Sequence, residues 1–304
     1  MVDLIFLIIG FIMLIKGADV FVNSASSIAK RFKVPSIIIG MTIVAMGTSA
    51  PELSVSVTSS LAGLNDMSIA NVVGSNIFNL LIALGVCSLF GKLKLSNYKD
   101  VWYLLLVCIE LLIFSLDGQL TFGNGVILLI TFIEYILSMI KKVKDNPEEE
   151  ISFDKQKNLF LTIVYGILGL IGIISGGNLV VDSAQAIALK LGMSENLIGL
   201  TVVALGTSLP EFITSVIATK KGELDIAIGN ILGSNIFNIL LILGIASILN
   251  PMIVSTLALY DIIFMIISVL VFILLTVKRK VLYKVPGLIL ITLYVSYLIT
   301  TIIR

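Results

Sequence analysis

Apolar windows of about 20 residues recur along the whole chain, and each is long enough to cross a bilayer as a helix rising 1.5 Å per residue. Ten spans are predicted, at 3–30, 35–61, 67–90, 100–116, 120–140, 158–189, 195–219, 224–248, 257–277 and 282–302. Period-two alternation is absent from these windows, which excludes a membrane β-barrel. The first and sixth spans are longer than a bilayer requires and are expected to tilt strongly or to bend, with Gly17 and the pair Gly176 and Gly177 marking the places where a bend would fall. The one markedly hydrophilic stretch, KKVKDNPEEEISFDKQK at 141–157, is expected to be a solvated linker.

Polar residues interrupt two of the spans in the same way. GMTIVAMGTSAPE at 40–52 matches GLTVVALGTSLPE at 199–211 at 9 of 13 positions, and NVVGSNIFN at 71–79 matches NILGSNIFN at 230–238 at 7 of 9. Both matches share an offset of 159 residues, which argues for duplication of a whole unit. Residues 1–140 are then a first five-span repeat carrying the motif region 40–79, 141–157 the linker, and 158–304 a second repeat carrying 199–238. Because five is odd, the second repeat enters the membrane from the opposite side. The expected fold is an all-α integral membrane protein of ten transmembrane helices in two inverted five-helix repeats, with helices 2 and 7 broken at the midplane.

Composition narrows the function. The chain is 58% hydrophobic and only 13% charged, against a usual charged fraction of about 25% in soluble domains. A net charge of +1 gives no reason to expect a nucleic-acid partner, and the absence of histidine removes imidazole metal sites and His-based catalysis. Serine-lysine and paired-aspartate constellations are also missing at sensible depth, so neither an enzyme nor a cofactor is expected. Cys87 and Cys108 read as small buried hydrophobes. Asp3 stands where a signal peptide would be basic, so the first segment reads as a span.

Basic residues cluster in alternate connections: Lys30, Arg31 and Lys33; Lys92, Lys94 and Lys99; Lys141, Lys142, Lys144, Lys155 and Lys157; Lys220 and Lys221; Lys278, Arg279, Lys280 and Lys284. Lys16, Lys190 and Arg304 complete the set of 20. The positive-inside bias makes these loops, including 141–157, cytoplasmic and puts both termini outside a plasma or inner membrane. The lipid bilayer is the one obligatory environment; no protein partner is expected.

The interrupting motifs carry candidate chemistry. Pro51 and Pro210 lack an N–H, and Gly47 and Gly206 precede each by four residues, so a helix break is expected at GTSAPE and GTSLPE. Such a break is tolerated in a membrane only where it faces protein or a wet cavity. Carbonyls around Ala45, Thr48, Ala204 and Thr207, with the hydroxyls of Thr48, Ser49, Thr207 and Ser208, would form a set of hard oxygen ligands. Glu52 and Glu211 would supply charge, and an intramembrane carboxylate is a functional candidate by default. Ser75 and Asn79, and likewise Ser234 and Asn238, are four apart on one helical face and add neutral oxygens. This donor set suits Ca2+ or Na+ better than Mg2+. The structural reading, in which serines serve close helix packing, competes evenly for Ser75 or Ser234 alone but poorly for two glutamates beside prolines in matching repeats. Glu110, Glu134 and Asp261 have no repeat counterpart and rank lower; Lys16 and Asp19 are expected to pair with each other or line a vestibule.

The two copies of G-T-S-x-P-E followed by G-S-N-I-F-N resemble the α-repeats of the Na+/Ca2+ exchangers of the cation/Ca2+ exchanger superfamily, over essentially the full chain. The resemblance implies that Thr48, Ser49, Glu52, Ser75 and Asn79, with Thr207, Ser208, Glu211, Ser234 and Asn238, line four clustered cation sites joined by the carbonyls of Ala45 and Ala204. It implies competition between Na+ and Ca2+ and a first and sixth helix that slide against the other eight. Some relatives, including the K+-dependent ones, carry Asp where this chain has Asn238, so K+-independent exchange is expected. Carboxylates also take protons, which keeps a Ca2+/H+ or other cation/H+ antiporter as the alternative. A channel is disfavoured, because the repeats predict a closed midplane site.

Overall fold

The structure is a computed structural model that describes residues 2–95, 98–145, 158–191 and 204–303. Among these residues the chain forms α1 (Val2–Phe32), α2 (Ser36–Thr48), α3 (Ala50–Leu61), α4 (Met67–Phe90), α5 (Lys99–Ser115) and α6 (Phe122–Asp145). The second half holds α7 (Leu159–Lys190), α8 (Ala204–Thr207), α9 (Leu209–Lys220), α10 (Leu224–Leu249), α11 (Thr256–Thr276) and α12 (Lys284–Ile303). Taking α2 with α3 and α8 with α9 as broken spans, these are the ten expected helices. By length and apolarity alone, 6 helices among the described residues qualify as spans and the α2–α3 pair as another. The short α5, the charged-ended α6 and the α8–α9 pair complete the set. The linker residues 146–157 and the first part of helix 7, 195–203, lie outside the described residues.

The broken pair α2 and α3 bends by 49°. Pro51 and Pro210 fall in the first turn of α3 and α9, where a missing N–H costs no intrahelical bond. The helix breaks just before each proline, at Ser49 and Ser208. In α4 and α10 the α-helical ladder loosens to a π turn at Asn79–Ala83 and Asn238–Leu243, and in α2 at Gly40–Val44. Each is one local widening that turns the following side chains through an extra step.

Burial orders the helices. The apolar windows of α4 and α10 are 78% and 83% buried, against 33% and 22% for α1 and α7, so α4 and α10 form the centre and α1 and α7 lie at the edge. The two edge helices touch backbone to backbone. A Cβ on Gly17 would sit 2.7 Å from the Gly169 carbonyl oxygen, and one on Gly176 would sit 2.6 Å from the Leu14 nitrogen. α1 and α7 run without a break at Gly17 and Gly176, and these glycines are where the pair meets, as small residues do between membrane helices. Glycine likewise brings α2 of the first repeat onto α10 of the second, since a Cβ on Gly229 would lie 2.5 Å from the Ile37 oxygen.

Residues 159 apart meet at the centre. Asn76 Nδ2 donates to the Asn235 carbonyl (3.0 Å) and Asn235 Nδ2 to the Asn76 carbonyl (3.2 Å), which marks the axis relating α4 and α10. Two ladders of two residues each also form, Leu93–Lys94 antiparallel to Val281–Leu282 and Gln119–Leu120 antiparallel to Met252–Ile253. They pin connecting loops together and are too short to leave a period-two signature.

Charged residues link α1 to the turn between α9 and α10. Lys221 Nζ lies 2.8 Å from Asp19 Oδ1 and donates to Asn23 Oδ1 (2.7 Å), while Glu223 accepts from Ser26 (2.6 Å) and pairs with Lys30 (3.4 Å). Asp19 thus pairs with Lys221 rather than with Lys16, because the turn at Gly222 (φ 79°) carries the lysine over α1.

Candidate functional site

Side chains of the two broken spans and of α4 and α10 converge between the repeats. Ala45, Thr48, Ser49, Glu52, Ser75, Asn79, Thr207, Ser208, Glu211, Ser234 and Asn238 are all buried, and both glutamates are 0% exposed. Ala204 opens the described part of α8. The local cause is the break: Ser49 and Ser208 sit at it, so the preceding Thr and the following Glu of each motif leave their half-helices toward the same space.

The hydrogen bonds interleave the repeats. Ser49 Oγ of the first donates to Glu211 Oε1 of the second (2.8 Å), and Ser208 Oγ of the second donates to Ser75 Oγ of the first (2.8 Å). Ser75 Oγ in turn donates to Glu52 Oε1 (3.2 Å). Asn238 Nδ2 donates to Ser75 Oγ (3.3 Å) and to Asn76 Oδ1 (3.0 Å), and Asn79 Nδ2 reaches Ser75 Oγ at 3.5 Å. Each glutamate keeps one buried oxygen without a hydrogen-bond partner, Glu52 Oε2 and Glu211 Oε2. Asn79 Oδ1, Ser234 Oγ and Asn238 Oδ1 are in the same condition. Buried polar atoms are rarely left unpaired, so five such oxygens in one cluster describe a donor set for a hard cation. Among the described residues no group of three or more acidic, cysteine or histidine side chains gathers, here or elsewhere, so the charge of this cluster is that of two carboxylates and its other donors are neutral oxygens.

The backbone part of the expectation needs refinement. The Ala45 carbonyl accepts the Ser49 N–H (3.0 Å), and the next bond runs from Leu53 N–H to the Ser49 carbonyl (3.1 Å). A proline removes the bond to the carbonyl four residues earlier, so Pro51 frees the Gly47 carbonyl and Pro210 the Gly206 carbonyl, while the Ala45 oxygen, which accepts one N–H, keeps a second lone pair. Those glycines do not loosen the chain. They admit neighbours, with Leu170 Cδ1 at 2.9 Å from a Cβ placed on Gly47 and Val181 Cγ2 at 2.2 Å from one on Gly206.

Glu110 accepts from Thr131 (3.0 Å) between α5 and α6; Glu134 sits on α6 and Asp261 on α11. Four asparagines assigned no chemistry by sequence complete the network: Asn76 and Asn235 on the axis, and Asn71 and Asn230 behind the broken spans. Their signal is identity between the repeats, since all four lie inside NVVGSNIFN and NILGSNIFN.

The family pattern described as sodium/calcium exchanger protein matches residues 2–141 and 161–303. The chain belongs to this family. It is 31% identical over 307 residues to sodium/calcium exchanger MaX1 of Methanosarcina acetivorans, covering 85% of this chain and 86% of that one. It is 39% identical over 268 residues to CaxA of Alkalimonas amylolytica, covering 85% and 84%. Among solved structures it matches the sodium-calcium exchanger NCX_Mj soaked with zero Na+ and Ca2+ at a TM-score of 0.87 and 31% identity, covering 98% of both chains. As a member of the sodium/calcium exchanger family, the chain is a multi-pass membrane transporter of the cation/Ca2+ exchange type, and oxygen donors are the chemistry that Ca2+ requires.

Proposed function

We propose that this exchanger moves Ca2+ against Na+ by alternating access through the buried cluster, without K+, exporting Ca2+ from the cytoplasm. The ligands are Thr48, Ser49, Glu52, Ser75, Asn79, Thr207, Ser208, Glu211, Ser234 and Asn238, with backbone oxygens from Ala45 and Ala204. The observation that carries this reading is the pair of wholly buried carboxylates, each with one partnerless oxygen, ringed by neutral oxygens from both repeats. Two carboxylates carry a charge that one Ca2+ cancels. Left bare they bear the full cost of buried charge, so the protein switches sides readily when loaded and poorly when empty. Asn238 brings no third charge to be balanced by K+. The glycine-seated pair of α1 and α7 supports a mobile unit that slides over the rest, and the loop charges support external termini with 141–157 in the cytoplasm.

The second reading, Ca2+/H+ exchange, draws on the same partnerless carboxylate oxygens, which suit a proton as well. Uptake of 45Ca2+ into vesicles loaded with Na+, K+ or acid separates the two. Na+-driven uptake that is indifferent to K+ is expected; uptake driven only by the proton gradient would replace the first reading with the second.

A further inference from the structure

Asn71 and Asn230 occupy equivalent places in the two repeats and make equivalent bonds. Asn71 Nδ2 donates to Ser56 Oγ (2.9 Å) and to the Glu52 carbonyl (3.4 Å), and Asn230 Nδ2 donates to Ser215 Oγ (2.9 Å) and to the Glu211 carbonyl (3.2 Å). A carbonyl can only accept, so the amide nitrogens must face the broken span of their own repeat. Each Oδ1 is thereby turned toward the other repeat, where it meets a threonine: Thr207 Oγ1 lies 3.2 Å from Asn71 Oδ1, and Thr48 Oγ1 lies 3.0 Å from Asn230 Oδ1. An amide oxygen has no proton to give, so the threonine is the donor. A hydroxyl has one proton. For Thr48 the alternative acceptors, the Val44 and Ala45 carbonyls, are more distant at 3.2 and 3.3 Å. Once the proton is committed away from the cluster, the oxygen lone pairs are what each threonine has left for a cation.

From this we infer that Asn71 and Asn230 are positioning residues that set the polarity of the threonine ligand in the opposite repeat, while tying it to the backbone of the glutamate in their own. The inference rests on the reading of Thr48 and Thr207 as ligands. Its specific content is pairwise: Asn71 acts through Thr207 and Asn230 through Thr48.

The test is a set of double-mutant cycles on the full chain in proteoliposomes, reading the apparent KM for Ca2+, the half-saturating Na+ concentration and kcat. Asn71→Ala and Thr207→Val should each raise the ion constants about tenfold, roughly the scale of one lost hydrogen bond to a ligand. Their combination should be no worse than the more severe of the two, because the effect of Asn71 on the ions runs through the Thr207 oxygen. Asn71→Ala combined with Thr48→Val should instead multiply to about a hundredfold, since those two residues share no bond. Multiplication within the Asn71 and Thr207 pair, or a fall in kcat with ion constants unmoved, would overturn the inference. If Thr207→Val leaves both ion constants unchanged, the ligand reading itself is what fails. Should Asn71→Ala not fold, Asn230→Ala with Thr48→Val forms the mirror cycle, in which the same two outcomes support or overturn the inference.

Discussion

Glu52 and Glu211 are the charges of the cluster, and their value lies in being buried with no counter-charge paired to them among the described residues. Glutamine keeps the shape and one acceptor oxygen but cancels the charge and brings an N–H donor toward a cation. Glu52→Gln and Glu211→Gln should each reduce 45Ca2+ uptake by at least about a hundredfold, the scale expected when a desolvated charge partner is lost. Robust uptake in either would remove that carboxylate from the ligand set. Asn238 tests the opposite change. Its Nδ2 now holds Ser75 Oγ and Asn76 Oδ1, and Asn238→Asp loses both donations while adding a third negative charge. Ca2+ uptake by that variant is expected to slow severalfold and to be restored in part by K+ or by acid, either of which supplies the missing positive charge; uptake unaffected by both would show that residue 238 does not face the ions. The glutamates, threonines and serines of the cluster were legible because a carboxylate beside proline inside an apolar span has no cheap structural role. Asn71 and Asn230 were not, because spacing along one helix says which residues share a face and nothing about what lies across from it.

Helices were legible for a different reason, since lipid demands that every backbone group be satisfied within the span and the apolar windows record that demand directly. Glycine is ambiguous at this scale. Its absence of a side chain permits either a bend or a close neighbour, and only the partner helix decides which; at Gly17 and Gly169 the neighbour is the other helix's backbone. The two-residue ladders leave no trace in the sequence because a pair of residues cannot show a period. Close contact makes a firm prediction. Gly169→Leu would place side-chain atoms where the Phe21 nitrogen and the Gly17 oxygen now stand, at 2.8 and 2.9 Å from a Cβ. Overpacking of this kind costs about 1–3 kcal/mol, so the detergent-solubilised protein should melt at a lower temperature. Gly123→Ala, whose Cβ would meet only Thr121 Oγ1 at 3.7 Å, should melt as the parent does. Equal melting of all three would mean that α1 and α7 are not seated through glycine.

At the scale of the molecule the inverted symmetry is close at the centre and broken at the rim. Gly63 and Gly222 are 159 apart and both left-handed, with φ of 73° and 79°, so the same turn joins α3 to α4 and α9 to α10. The second turn carries Lys221 and Glu223, which fasten α1 to the core; the first has Ala62 and Leu64 at those places, which carry no charge. Opposite them α7 has Asn178, Asp182, Gln185 and Leu189 where α1 has Asp19, Asn23, Ser26 and Lys30. At the far end α1 and α7 are joined by an ion pair of Lys190 with Asp3 (2.5 Å), which holds the pair together without fastening it to the core. Among the described residues, the ion pairs that latch α1 to the core lie at one face of the exchanger. Partly exposed ion pairs are worth about 0–1 kcal/mol each, so two pairs with their added hydrogen bonds bias a two-state equilibrium by a factor of roughly three to ten. Replacing both Lys221 and Glu223 by neutral residues, Lys221→Ala with Glu223→Gln, should lower the apparent KM for Ca2+ offered at the latched face by that factor and raise it at the other, in proteoliposomes of defined orientation. Unchanged constants at both faces would show that the pairs hold nothing closed, whereas a fall at both faces would place their effect on the ion site rather than on access.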